Sequence, residues 1–303
     1  LHEEIEIMTT KRKAAKKSTA RKAKAPGKRR TDQAALAVGT SSKKPARERV
    51  AALLEAPLAA VQSDENLQAV LSVLRDPKEP VKVRLAALQS LQAASFSVIT
   101  FEPCRADYLV TLRQIVDDPD PELRQRALGI LAREKDGYAQ TRLLEGLENK
   151  DKALVPPEKA LQLLSYDVHA EAYPIARKIV AKPPSDDAKR EALRLLAADA
   201  TSAPVFEKIL RDKKETREIR QVSASALQAL EPEKFKEYAR ELVLDTKEYD
   251  DIQATALTAL TQMGDETNVA KDATLLKRVN RLGNAKSAKV KKGARKFLNR
   301  YGK

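Results

Sequence analysis

Residues able to do acid–base or nucleophilic chemistry are few in this chain. It holds two histidines, His2 and His169, and one cysteine, Cys104. In Tyr166-Asp167-Val168-His169 a carboxylate stands two residues before the imidazole, as an orienting acid stands beside a general base. No nucleophile is placed to use that base, so a surface or helix-capping histidine is the reading adopted. Cys104 and His169 would form a thiol–imidazole dyad only if the fold joined residues 65 positions apart. One Cys and two His supply too few ligands for a standard zinc cluster. No Gly-rich phosphate loop is present. A single cysteine also excludes an intramolecular disulfide and suits a reducing compartment.

The remaining chemistry is that of cations. Lys11, Arg12, Lys13, Lys16, Lys17, Arg21, Lys22, Lys24, Lys28, Arg29 and Arg30 place 11 positive charges within 20 residues. That density matches a polyanion, with no side chains arranged to read bases. A second cluster, Lys286, Lys289, Lys291, Lys292, Arg295 and Lys296, lies near the other end of the sequence. The formal net charge is +14, yet residues 50–270 carry −7; the excess sits at 9–49 (+13) and 271–303 (+11). The expected partners are therefore duplex DNA or RNA, held without sequence preference by the ends. No apolar run of 18 residues occurs, so no membrane span is expected.

The elements that carry these groups announce themselves by repetition. Ala-Leu, two residues, then Leu recurs at Ala87, Ala127, Ala160, Ala192, Ala226 and Ala256, with a weaker copy at Ala294. The alanines stand 40, 33, 32, 34, 30 and 38 residues apart, a period that signals a stacked repeat. Taking Ala as position 0, positions −4, 0, +1 and +4 fall on one side of a helix. A second apolar helix precedes each copy, the clearest being Leu67, Val70, Leu71 and Leu74. An Asp- and Pro-rich turn joins the two, where Asp or Ser can cap and Pro can open the second helix. Helix pairs are expected at about 64–94, 105–134, 137–165, 168–198, 202–230, 232–263 and 268–300. Residues 46–63, interrupted by Pro57, read as an N-terminal capping helix or helix pair, and 93–103 as a long turn. Cys104 and His169 then lie two pairs apart, beyond contact for helices packed about 8–10 Å from one another. Residues 1–45 hold too little apolar surface to order and read as a disordered basic tail. A mitochondrial transit peptide is the rival for that segment. The chain opens on Leu1, and Met8 is a second candidate start.

The segments Asp76-Pro77…Val83-Arg84…Ala87-Leu88 and Asp118-Pro119…Leu123-Arg124…Ala127-Leu128 resemble the HEAT-repeat family of α-solenoids. The third copy departs, with Pro156-Pro157 in place of the Arg, and copies five and six have Ser223 and Gln253 there. The resemblance covers residues 64–303. It implies an all-α right-handed superhelix of about seven helix pairs plus an N-terminal capping helix, occupying 46–303. It also implies that Arg84, Arg124, Lys189 and Lys291 pair with a turn Asp such as Asp76 or Asp118, and that the second helices line a concave face. Positions −2 and +2 of those helices would floor it, with Gln89, Gln125, Gln162, Arg190, Arg194 and Gln228 as partner-binding candidates. HEAT-like DNA glycosylases hold the base with Trp, of which this chain has none; bilin lyases share the repeat, but no residue here points to a chromophore.

The reading that follows is a non-enzymatic scaffold or adaptor, without cofactor, that binds another macromolecule, foremost a protein, while its tail tethers nucleic acid. It is expected to be a monomer inside the cell, in cytoplasm and nucleoid or in a nucleus. The alternative makes a duplex the main ligand, wrapped by the second helices and both basic ends. A basic track continuous from Arg190 to Lys296 would favour the alternative.

Overall fold

A computed structural model describes residues 26–56, 64–167 and 170–302. Among them every regular element is helical. Eight helix pairs follow in order: α1 (Pro26–Thr40) and α2 (Ala46–Glu55), α3 (Asp64–Arg75) and α4 (Val81–Ser95), α5 (Val98–Ile115) and α6 (Pro121–Arg133), α7 (Gly137–Glu148) and α8 (Pro157–Leu164). The later pairs are α9 (Tyr173–Ala181) and α10 (Asp186–Leu196), α11 (Ala203–Arg211) and α12 (Arg217–Leu230), α13 (Pro232–Leu244) and α14 (Asp250–Met263), α15 (Ala273–Leu282) and α16 (Ala288–Tyr301). The chain forms two compact units that divide between Thr111 and Leu112, within α5.

In the first unit α1 packs on α2, α3 on α4, and α2 on α4. The expected disordered tail therefore does not extend to residue 45. Its basic Lys28, Arg29 and Arg30 fall in α1, whereas Lys11 to Lys24 lie outside the described residues. The stretch Ala34-Ala35-Leu36-Ala37-Val38-Gly39 gives α1 a small apolar face, enough to bury Leu36. A Cβ on Gly39 would stand 2.9 Å from Leu53 Cγ, so α1 reaches α2 only because residue 39 has no side chain. The expected long turn over 93–103 is also revised: α5 begins at Val98, with Pro103 inside it. Pro103 removes one backbone donor near the helix start. Phe101 offsets this by burying its ring edge-to-face on Tyr108, with centroids 5.3 Å apart.

In the second unit the second helices form a continuous row. α6 touches α8, α8 touches α10, and so on through α12 and α14 to α16, while α7, α9, α11, α13 and α15 each pack on their own partner. The repeated motif is the reason. Leu123, Ala127, Leu128, Leu131, Ala192, Leu193, Leu196, Ile252, Ala256 and Leu257 are all fully buried. Small Ala at position 0 admits the neighbouring helix and the leucines fill the space around it. Caps start the helices where the turn chemistry requires: Asp120 accepts from Glu122 N and Leu123 N ahead of Pro121, and Ser185 and Thr216 accept from Ala188 N and Ile219 N.

The motif's register slips in one copy. In α12 the residue in step with Ala87 of α4 is Ser223, not Ala226. Val83, Arg84, Ala87 and Leu91 of α4 then correspond to Ile219, Arg220, Ser223 and Leu227, and all eight are buried. Arg84 Nε donates to the carbonyl of Leu74 at 3.0 Å, and Arg220 Nε to that of Leu210 at 3.0 Å, each ten residues earlier. Arg49 Nε does the same to Gly39 at 3.2 Å, which makes α1 and α2 a full repeat rather than a cap.

Candidate binding groove on the second-helix row

Within each unit, a ladder of charged contacts ties neighbouring pairs together. Arg49 makes a two-pronged contact with Glu79 at 2.5 and 2.8 Å, and Arg220 one with Glu248 at 2.7 and 2.7 Å. Lys189 pairs likewise with Glu215. The acceptors are the glutamates that end the inter-helix turn. The Asp that opens the turn shapes it: Asp76, Asp118, Asp212 and Asp245 each accept a backbone N–H two residues on, at 2.8–2.9 Å, and Asp245 also takes Lys213 at 2.8 Å. A second ladder joins first helices to the caps of following pairs: Arg113 to Asp136, Arg177 to Asp199, Arg240 to Asp272. Burial alone would raise the carboxyl of Glu248, but hydrogen bonds from Arg220 and Lys213 outweigh it and hold the group below its ordinary value. In Asp272 the hydrogen bond from Arg240 leads, and the group is again lowered.

The candidate partner-binding residues differ in their surroundings. Gln125 and Gln162 are exposed on α6 and α8, and Gln89 is exposed on α4 of the first unit. Arg190 is engaged by Asp187 at 2.5 Å and Glu218 at 3.1 Å, and Arg194 by Glu191 at 2.5 Å. The basic track from Arg190 to Lys296 is therefore interrupted by acids, including Asp251, which holds Arg217 at 2.9 Å.

Beyond Asp251 the character changes. A groove of about 360 Å³ lies between α12, α14 and α16. Gln221 and Gln228 of α12 line one side; Asp251, Ala254, Thr255 and Thr258 of α14 form the floor; Lys289, Lys292, Gly293 and Lys296 of α16 form the other side. A Cβ on Gly293 would stand 3.3 Å from Leu257 Cβ, so the glycine allows α16 to approach α14. Lys289, Lys292 and Lys296 are exposed and have no ion-pair partner among the described residues. Gln221 Nε2 donates to Ser225 Oγ at 3.2 Å and Thr255 Oγ1 at 3.1 Å, while its Oε1 is shielded from water and without a partner. Of the other predicted cations, Lys286 and Arg295 are exposed and Lys291 is half-buried, away from the groove lining. The sequence reading missed Gln221, because the slipped register of α12 hid the row it belongs to, and Thr255, which stands next to the seam Ala256 rather than two residues from it.

A larger hollow of about 530 Å³ lies among α9, α10 and α11, lined by Val180, Pro183, Pro204, Val205 and Ile209. The charges at its rim include Lys189 and Glu215, which satisfy each other. Cys104 is buried, and burial, foremost, with Asp107 and Asp64 pushes its thiol up to about 11, which favours the protonated thiol at neutral pH. His169 lies outside the described residues. Among the described residues no cluster of His, Cys, Asp and Glu is able to hold a metal, and no helix is long and apolar enough to cross a membrane.

These features define an all-α helical-repeat protein. No family model matches the sequence, and no curated protein does. Among solved structures the chain is similar to an engineered protein (TM-score 0.44, 14% identity, 90% of this chain and 89% of that one). It is similar also to CpcE and CpcF of phycocyanin lyase from Nostoc sp. PCC7120 (0.40, 17%, 88% and 97%) and to human deoxyhypusine hydroxylase (0.34, 14%, 81% and 99%). Two of these three names belong to enzymes and one to an engineered protein, so the likeness assigns no activity.

Proposed function

We propose that the protein is a non-enzymatic scaffold that binds another protein along its second-helix row, while its basic N-terminal segment tethers nucleic acid. The observation that carries this reading is the interrupted basic track. A duplex needs cations in register with its phosphates, but Arg190 and Arg194 are already taken by Asp187, Glu191 and Glu218. Arginines among amides suit the polar rim of a protein interface, where Arg is enriched. Phe96, at the end of α4, and Ile99, in the first turn of α5, are 82% and 90% exposed and add apolar surface that suits a protein partner better than a phosphate backbone.

A second reading keeps nucleic acid as the main ligand. It is favoured by the 11 Lys/Arg between 271 and 302, where Asp272 is the only acid and is held by Arg240. Capture from lysate of the source cells, with and without nuclease, separates the two. The scaffold reading expects specific proteins to stay bound after nuclease treatment. Retention that vanishes entirely with nuclease would leave the second reading in its place.

A further inference from the structure

We infer that the groove between α12, α14 and α16 receives an extended acidic segment of a polypeptide, with alternate carboxylates facing Lys289, Lys292 and Lys296. The inference rests on the scaffold reading and names the chemistry of the partner. Three observations converge on it. The first is the three lysines, which stand without acids on one wall of a groove whose floor is polar and small, its one carboxylate, Asp251, being held by Arg217 at 2.9 Å. At i, i+3 and i+7 they form a single stripe on α16, rising about 4.5 Å and then about 6 Å along the helix. Side chains on one side of an extended chain recur every 6.6–6.8 Å or so, a mismatch that the flexible lysine stems absorb.

The second observation is the orphaned acceptor. Gln221 Oε1 is cut off from water and lacks a donor, while its amide nitrogen is held by Ser225 and Thr255. A swing of the half-buried Gln221 side chain toward the groove would present it to the N–H groups of a peptide backbone; a phosphodiester brings none. The third is the lining itself, which contains no aromatic ring. Binding of a single nucleic-acid strand draws much of its strength from stacking on such rings, and a duplex presents its phosphates on a rigid cylinder that cannot enter a cleft between adjacent helix pairs.

The probe is a fluorescein-labelled dodecapeptide of alternating Glu and Ser, compared with its Gln counterpart, by anisotropy on the full chain. A 12-nucleotide oligothymidylate and a 12-base-pair duplex serve as competitors. The chain is basic overall, so diffuse attraction must be separated from the groove. Thr258→Trp fills the groove without changing charge, and Thr258 is exposed, so folding survives the change. K292E/K296E reverses the wall. Each variant should weaken the Glu peptide at least tenfold and leave duplex binding within twofold for Thr258→Trp. Equal binding of the Glu and Gln peptides would overturn the proposal, as would unchanged peptide affinity in Thr258→Trp. Displacement of the peptide by oligothymidylate, with both lost in Thr258→Trp, would reassign the groove to single strands. Nuclease-resistant capture that persists when the peptide fails would sink this inference and spare the scaffold reading; loss of that capture would sink both.

Discussion

Arg220 and Glu248 provide the sharpest test of how the pairs are joined. Both side chains are almost wholly buried, 2% and 0% exposed. Arg220 makes four hydrogen bonds, two to the Leu210 carbonyl and two to Glu248. Arg220→Met removes one charge and leaves the other buried. Breaking such a pair from one side costs about 3–5 kcal/mol. Lys213 Nζ, 2.5 Å from Glu248 Oε2, still compensates the carboxylate, so the low end applies, about 3 kcal/mol. In Glu248→Leu the guanidinium keeps Leu210 but loses its counter-charge, at a similar cost of about 3 kcal/mol. The double variant buries apolar groups in both places and should cost at least 2 kcal/mol less than the sum, or about 4 kcal/mol in all. At roughly 2–4 °C per kcal/mol for a unit of this size, each single change should lower Tm by about 6–12 °C. Thermal melts by circular dichroism on the parent, both singles and the double complete the cycle. Additive losses would mean that the two side chains do not interact, and the ladder would lose its strongest rung.

Three further outcomes follow from named contacts. Because Glu248 is held below its ordinary value of 4.5, its stabilisation is complete above that value and is lost as pH falls through the depressed folded value; Glu248→Gln should flatten the fall of Tm below pH 4.5, and an unchanged acid limb would refute the assignment. Leu128→Ala and Leu227→Ala, at fully buried seam positions, should each cost about 2–5 kcal/mol in urea denaturation; parent-like midpoints would place the seam on the wrong face. Deleting residues 1–25, which spares α1, should weaken duplex binding and make the plot of log K against log salt shallower by about 5 if about six phosphate contacts are lost, and an unchanged slope would remove the segment from nucleic-acid binding.

The seven pairs from α3 to α16 were legible because a period near 33 and a buried Ala-Leu seam leave few alternatives. Three features were not. α1 was masked by its own Lys28-Arg29-Arg30, since composition over 45 residues conceals a face as narrow as Leu36 and Gly39. The start of α5 reads as a turn in the sequence because Pro103 is a strong local breaker, while the burial of Phe101 on Tyr108 is a tertiary contact that no local pattern contains. The register of α12 failed because Ala226-Leu227…Leu230 is a local copy of the motif. Ile219-Arg220…Ser223 was equally present, but only the contact of Arg220 with Leu210 shows which copy faces the core. The candidate groove was half legible: Lys289, Lys292, Lys296 and Gln228 were among the chosen residues, whereas Arg190 and Arg194 looked free until their acids were placed.

With the register corrected, the groove's charge has a simple origin. In the second unit the position five residues before the buried small residue is Val155 in the α8 copy, but an acid in the other copies ahead of α16: Glu122 in α6, Asp187 in α10, Glu218 in α12 and Asp251 in α14. Each neutralises an arginine on the same face: Arg126 by Glu122, Arg190 by Asp187 and Glu218, Arg217 by Asp251. In α16 the same position is Lys289, followed by Lys292 at −2 and Lys296 at +2. One inversion, acid to lysine at a repeated position, converts a self-neutralised row into three cations without partners. Packing does not require this. The seam of α16 is served by Val290, Ala294, Phe297 and Tyr301, all buried on its other side. A lysine stripe also gains nothing from its own helix, where like charges at i and i+4 repel. Lys292 and Lys296 stand at that spacing, so the stripe costs folding stability and is favoured only when an anion lies against it. That asymmetry makes the α12–α14–α16 face, rather than the matched rows before it, the place where a ligand's charge completes the structure.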